Sequence, residues 1–356
     1  MQATRTIALA CSLIAALSAR ADDGGEGSLT PPSPLHIGGF ADVVLRTAPT
    51  NTARHVVELD MYSTLRISEN WSALAEGIAQ RTWRPPEAGQ RPDVDFNLER
   101  LYVSYQKSDA FRLEIGETHT GIVRWNEREH RSRFLQTPIE VPAIARYPQD
   151  EGAWPTRFVG LWASGELRSA LGFRWEAGAG AGPGTDRDAI PIFSDDRSPA
   201  AFFSASVAPR AIEGFEAGFA VYGQHVPLNP DPLRERDFTL FSNYVNRGTE
   251  VRAEWARMDH QLTHVHQTYR SQGYYVLLSK RLSGSLENAR PYVLLDHLNI
   301  DPNDPYLQEA TDENAWAAGV RYDFTQRWSA KAEYRVQRAL DGSRRSILGL
   351  QVGVSF

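Results

Sequence analysis

The feature that most constrains this chain is a two-residue alternation that recurs from about His36 to the last residue, Phe356. In Leu348-Gly349-Leu350-Gln351-Val352-Gly353-Val354-Ser355-Phe356 every even-numbered residue is apolar and every odd-numbered one is small or polar. Successive side chains of a strand point to opposite faces, so such a segment has one oily face and one wet face. Sixteen segments of this kind fall roughly at 36–47, 55–68, 71–83, 96–107, 110–119, 156–165, 167–179, 200–209, 215–226, 236–246, 249–259, 269–282, 289–299, 314–324, 328–339 and 345–356. No window after residue 21 is long and apolar enough for a membrane helix. A backbone that must satisfy all its polar groups in lipid then has one remaining solution, a closed barrel. The pattern predicts an all-β fold, a 16-stranded antiparallel transmembrane β-barrel with lipid outside and a water-filled lumen.

The connections support that prediction. Ser68-Glu69-Asn70, Lys107-Ser108-Asp109, Asn246-Arg247-Gly248 and Thr325-Gln326-Arg327 read as tight turns, and the intervening segments 84–95, 120–155, 180–199, 227–235, 260–268 and 300–313 read as longer loops. Short periplasmic turns alternating with longer extracellular loops place both termini on the periplasmic side. Proline cannot donate to a ladder. Of the 21 prolines, 16 fall in the expected extracellular loops and three in residues 22–35, which leaves only Pro209 and Pro291, both at periplasmic strand ends.

Several segments carry the dyad cleanly. Val57, Leu59, Met61, Leu65 and Ile67 oppose Glu58, Asp60, Tyr62, Thr64 and Arg66. Leu171, Phe173, Trp175 and Ala177 oppose Gly172, Arg174 and Glu176. Segments 71–83 and 158–165 depart from it. A soluble sandwich also alternates, but here the apolar positions are rich in Ala and Gly, and Trp71, Trp83, Trp316 and Trp328 lie at segment ends, where membrane aromatic girdles belong.

The N-terminus reads as an export signal: Arg5, the apolar run Ile7 to Leu17, then Ala19-Arg20-Ala21, with cleavage expected before Asp22. The only cysteine, Cys11, lies inside it, so the mature chain would hold no disulfide. Loss of Arg5 and Arg20 leaves 36 basic residues against 44 acidic ones, an unpromising balance for nucleic-acid binding. The expected organisation is a signal peptide at 1–21, a flexible Gly/Pro-rich lead-in at 22–35 and the barrel at 36–356.

The final strand, with Val352, Val354 and the terminal Phe356, resembles the assembly signal of bacterial outer-membrane barrels. Gly319-Val320-Arg321-Tyr322-Asp323-Phe324 followed by Trp328 to Arg335 resembles the penultimate hairpin of porins. The resemblance implies passive passage of small hydrophilic solutes, an outer-membrane location, recognition of Phe356 by the barrel assembly machinery, contact with outer-membrane lipid and a homotrimer. It also implies that the third extracellular loop, 120–155, folds inward and narrows the lumen.

That loop carries Arg124, Glu127, Arg128, Glu129, His130, Arg131 and Arg133, the expected pore constriction, while Phe134, Leu135, Ile139, Val141 and Ile144 give it an apolar side to pack inward. A narrow, partly desolvated pore magnifies each charge, and rings of arginine favour anions. Against this, the loop is neutral overall, so the charge run also fits a solvated tip. The expected lumen wall includes Glu58, Asp60, Arg66, Arg112, Glu114, Arg174, Arg252, Arg321, Lys331, Glu333 and Arg335. His260, His264 and His266 with Asp259 form the only histidine cluster, expected in a solvated loop rather than at a metal. No G-x-S-x-G occurs, and carboxylates two apart, such as Glu58 and Asp60, describe a polar lumen face as well as an acid–base pair, so neither catalysis nor a cofactor is expected. The competing function is that of an outer-membrane adhesin, receptor or structural barrel with a blocked lumen.

Overall fold

The structure is a computed structural model that describes residues 33–47, 53–83, 94–129, 133–308, 310–338 and 344–356. The expected signal peptide and most of the lead-in lie outside the described residues, as do His130 and Arg131.

Sixteen strands form one closed antiparallel barrel in which each pairs with its sequence neighbours and the first closes on the last. They are β1 (Leu35–Thr47), β2 (Ala53–Arg66), β3 (Trp71–Trp83), β4 (Val94–Ser108), β5 (Phe111–His119), β6 (Arg157–Leu167), β7 (Phe173–Gly182), β8 (Ser198–Val207), β9 (Phe215–Val226), β10 (Leu233–Asn246), β11 (Thr249–Leu262), β12 (Thr268–Lys280), β13 (Ala289–Asn299), β14 (Glu313–Asp323), β15 (Trp328–Arg338) and β16 (Arg344–Ser355). All sixteen overlap the segments read from the alternation.

Besides the seven register pairs from Phe40/Ser355 to Arg46/Gly349, the last residue takes part in closure. The Phe356 N–H donates to the Gly39 carbonyl and the Gly39 N–H donates to the Phe356 carbonyl, each at 3.0 Å. A Cβ at Gly39 would lie 2.7 Å from the Phe356 ring, so only glycine lets the ring seat there. At the same end, Arg247 (φ 47°) and Gly248 (φ 75°) join β10 to β11 through the left-handed turn that suits a two-residue hairpin.

The two faces separate as the dyad requires. On β2, Glu58 and Asp60 point inward and are buried, whereas Met61 and Leu65 are exposed on the outside. On β15, Lys331, Glu333 and Arg335 are buried inside while Tyr334 is exposed. Segment 71–83 departs from the pattern because Leu74 and Ile78 share the inward face with Glu76, paired with Thr64 and Asp60 of β2; at Glu76/Gly77 the β3–β4 register shifts by one residue of β4, and Glu99 and Arg100 are both buried there. Segment 158–165 departs because β6 presents Phe158 and Trp162 to the lumen, making its inner face apolar.

Candidate functional site: the lumen and its inward loop

Of the 37 residues between β5 and β6, 120–156, the described ones do not stand in solvent. They enter the barrel, form the one-turn helix α1 (Arg124–Arg128), run along the inner wall, and return through short 3-10 turns at Ala143–Ala145 and Pro148–Asp150. Hydrophobic burial drives this path. Ile122, Trp125, Ile139, Ile144 and Trp154 are all at most 2% exposed, and each large apolar side chain so buried contributes about 1.5–3 kcal/mol. The Trp125 ring meets Tyr275 of β12 edge to face at 5.4 Å, and Phe134 stacks on Phe40 of β1 at 5.8 Å. Ile139 packs with Val44 and Val56, and Ile144 sits over Gly273, where a Cβ would come within 2.6 Å of its Cγ2.

Polar contacts fix the register of the loop on the wall. The Thr239 hydroxyl donates to the Ile122 carbonyl, and the Arg124 N–H donates to Glu254 at 2.6 Å. The Ile139 N–H donates to Glu333 at 3.0 Å, and the Ala143 N–H donates to both oxygens of Asp296. Arg321 reaches the carbonyls of Phe134 at 2.6 Å and Gln136 at 2.9 Å, while Lys331 donates to those of Arg133 and Pro138. These wall groups take up backbone donors and acceptors that a buried loop would otherwise strand.

The charged side chains of the loop pair with the wall. Arg124 bonds Glu216 at 2.6 Å as well as Glu127, and Arg133 stands 3.5 Å from Glu58. Glu129 accepts from Arg252 at 2.7 Å, Glu140 pairs with Arg46, and Arg146 bonds Glu313 at 3.2 Å. Arg335 binds Asp296 at 2.8 Å and Glu313 at 2.9 Å. Burial alone would raise the Glu140 carboxyl, but Arg46, Arg335 and Arg133 outweigh it and hold it at about 2. At the far end, burial pushes the Tyr147 phenol well up, helped by Glu99, to which its hydroxyl donates at 3.1 Å.

The structure therefore brings Arg124, Glu127, Glu129 and Arg133 into the lumen, with the two arginines held against wall carboxylates. Arg128 contributes its backbone to α1. On the wall, Glu58, Arg252, Arg321, Lys331, Glu333 and Arg335 meet the loop, and Asp60 and Glu114 face inward, buried. Arg66 stands exposed at the short-turn end of β2. Glu216, Glu250, Asp296 and Glu313 were not singled out from sequence, although each lies on the inward face of its strand; their partners come from a loop far away in the chain.

The histidine cluster requires a correction. β11 extends to Leu262, so His260 is an inward-facing strand residue with no solvent exposure, and not part of a solvated loop. Its Nδ1 lies 2.6 Å from Asp304, and its ring meets Tyr306 at 5.4 Å. His264 does lie in an exposed loop, where it pairs with Asp231. Two backbone N–H groups, those of His264 and Val265, donate to the Asp231 carboxyl and help hold it low.

Two further loops close over the long-loop end. Arg187 donates to the carbonyls of Gly152 and Ala153 at 2.7 and 2.6 Å, and the Tyr306 hydroxyl donates to the Gly184 carbonyl at 2.5 Å. Below them the β6–β9 wall is apolar. Phe158 meets Phe202 edge to face at 5.1 Å, and with Trp162 and Tyr222 they pack around Ile122 and Trp154. On the short-turn side opens a cavity of about 520 Å³, lined by Arg112, Arg124, Glu127, Arg174, Glu176 and Phe241 among others. Arg112 is exposed there and donates to Gln106 at 2.9 Å.

The closed barrel resembles solved porin structures. The anion-selective porin of Comamonas acidovorans superposes with a TM-score of 0.62 at 11% identity, over 90% of this chain and 99% of that one. OmpF of Salmonella typhi, solved with daunomycin, gives 0.60 at 13% identity over 90% and 97%. OprB of Pseudomonas putida at low pH gives 0.56 at 9% identity over 91% and 93%. At these identities the likeness is one of fold. No protein-family model and no curated protein matches the sequence.

Proposed function

We propose that the chain is an outer-membrane porin, a passive diffusion channel for small hydrophilic solutes. The observation that carries this reading is a sixteen-stranded barrel with charged side chains on its inner face and one long loop folded against them. A wall made only to be packed would not need the vestibule of about 520 Å³ that opens at the short-turn end. Arg112, Arg124 and Arg174 at that vestibule support a preference for anionic solutes, tempered by Glu127 and Glu176. In this reading residues 1–21 direct export, 22–35 lead into the barrel, and Phe356 is read by the barrel assembly machinery. The barrel sits in outer-membrane lipid as a homotrimer; one structural neighbour, OmpT of Vibrio cholerae, is described in a trimer form. Neither a metal nor a cofactor belongs to the proposal.

Planar-bilayer recording tests it. Refolded, heat-modifiable protein is expected to give steady ohmic steps. A second reading, a barrel with a blocked lumen that serves as receptor or structural element, is favoured by the burial of Phe158, Trp162, Phe202 and Tyr222 at mid-lumen, each at most 5% exposed. Absence of conductance from folded protein would decide for that second reading.

A further inference from the structure

Most of the charge in the vestibule at the short-turn end is already paired. Arg124 bonds Glu216 at 2.6 Å, Arg174 bonds Glu166 at 3.0 Å, and Arg168 bonds Asp109 at 2.8 Å. On the wall, two charges stay outside these pairs. Arg112 of β5 is exposed and donates to the neutral side-chain oxygen of Gln106 at 2.9 Å. Glu176 of β7 is half-buried and has no hydrogen bond or ion pair among the described residues. Both line the cavity of about 520 Å³, a volume inside the range of small-molecule sites, roughly 300–1,000 Å³.

Strand pairing sets these two charges on a single row. Register pairs Gln106 of β4 with Arg112, Arg112 with Ser164 of β6, Ser164 with Glu176, and Glu176 with Ser204 of β8. All five residues line the same cavity, and Arg210, exposed on the β8–β9 turn, lies off the row. Neighbouring strands are about 4.8 Å apart, so the Arg112 and Glu176 backbones stand about 10 Å apart with the Ser164 hydroxyl between them. The Ser164 and Ser204 hydroxyls are half-buried and have no partner among the described residues. The inward loop passes Glu176 at Gly121, where a Cβ would lie 3.3 Å from the Glu176 Oε2 and 4.0 Å from the Ser204 Oγ. A longer side chain at that position would cover the carboxylate. The row therefore offers a cation, a hydroxyl, an anion and a second hydroxyl in sequence, with neither charge neutralised.

We infer that this row is a binding subsite for a small zwitterion, an α-amino acid or short peptide, with its carboxylate on Arg112 and its ammonium on Glu176. The guanidinium fork suits a carboxylate geometrically. A simple anion would satisfy Arg112 and leave Glu176 facing a like charge, and a simple cation would do the reverse. Only a solute that carries both charges neutralises both ends, and the serine hydroxyls, each donor and acceptor, can then bond the polar atoms between them. The inference rests on the proposed channel in one respect, that the vestibule is open to water. It names dipolar solutes, beyond simple anions, as those the vestibule retains.

The test uses the refolded barrel in detergent and a ligand-observed NMR titration with three probes of matched size: alanine, lactate and alaninamide. Lactate keeps the carboxylate and lacks the ammonium; alaninamide keeps the ammonium and lacks the carboxylate. The wild-type protein should bind alanine at least tenfold more tightly than either. Arg112→Gln should weaken alanine at least tenfold and leave alaninamide within twofold. Glu176→Gln should weaken alanine as much and leave lactate unchanged or tighter. Lys280→Ser, a loss of exposed charge on β12, should change none of the three. The opposite split between the two row variants is a pattern that a general disturbance of the wall would not produce. Equal affinity for alanine and lactate in the wild-type protein, no binding of alanine, or a parallel loss of all three probes in both variants would overturn the inference. Single-channel recording in potassium chloride separates it from the channel. Ohmic steps without a preference for alanine remove the subsite and keep the channel, whereas selective binding of alanine without steps keeps the subsite and removes the channel.

Discussion

Arg335 is the residue whose removal most directly tests how the inward loop is held. Its guanidinium is buried between Asp296 and Glu313, at 2.8 and 2.9 Å, and neither carboxylate has any exposed side-chain surface. Those carboxylates in turn receive the Ala143 N–H and the Arg146 guanidinium of the loop. Arg335→Met keeps the side-chain length but removes the cation that two buried carboxylates share, leaving Asp296 the Ala143 N–H and Glu313 the Arg146 and Gln337 side chains. Breaking a buried pair in this way costs about 3–5 kcal/mol. At 1.4 kcal/mol per tenfold, the docked loop should lose a factor of about 10² to several times 10³ in its equilibrium with an undocked state. The assay follows from the cysteine count. With Cys11 in the expected signal, a mature chain carrying Val141→Cys holds a single thiol on the loop, and its labelling by a maleimide reports the undocked population. Arg335→Met should raise the labelling rate about a hundredfold, and adding Asp296→Asn should recover about tenfold of that, since the two residues touch and their effects cannot be independent. A labelling rate within twofold of the parent would refute the reasoning, because the loop would then be held by its apolar side alone.

Replacing Arg124 and Arg133 with Ser leaves Glu216 and Glu58 without those partners, and the reversal potential in a salt gradient should shift toward cation preference; unchanged selectivity would remove both from the constriction. Glu140, held at about 2 in the folded protein against an ordinary value near 4.5, contributes stability that is fully present above about pH 4.5 and lost as pH falls through about 2. The gap in urea midpoint between wild type and Glu140→Gln should therefore be flat from neutral pH to about 5 and shrink below it; a gap that persists undiminished near pH 2 would contradict the pairing with Arg46. Deleting Phe356 removes both hydrogen bonds to Gly39, so outer-membrane assembly should fall while export is retained, and normal heat-modifiable barrel from the truncated chain would count against closure through this residue.

How much of this was legible in the sequence follows from what each pattern physically reports. Alternation reports which side chains avoid lipid, and it located the sixteen strands because hydrocarbon tolerates few errors on one face. Prolines marked the loops because a ladder cannot use them; Pro199, within the second position of β8, and Pro291 are both exposed on the outer face at strand ends. The inward loop was legible from its length and from apolar residues such as Ile139 and Ile144, which a solvated loop would not bury. The strand end at His260 was not, because a histidine on the inner face scores as polar whether it meets water or, as here, Asp304 and Tyr306.

The same limit explains the arginines. A lumen carboxylate such as Glu216 reads identically in sequence whether it faces a hydrated channel or the Arg124 guanidinium, since both environments satisfy a charge and both are forbidden to lipid. The alternation therefore separates lipid from not-lipid and is silent on how the not-lipid side is divided between water and folded loop. That division rests on pairings across the barrel, Arg124 with Glu216 and Arg146 with Glu313, between residues 92 and 167 positions apart. Only a three-dimensional closure brings them together. In the proposed channel, what the lumen admits would follow from how firmly these pairs hold the loop, and hence from the same Arg335 contacts on which the labelling experiment acts.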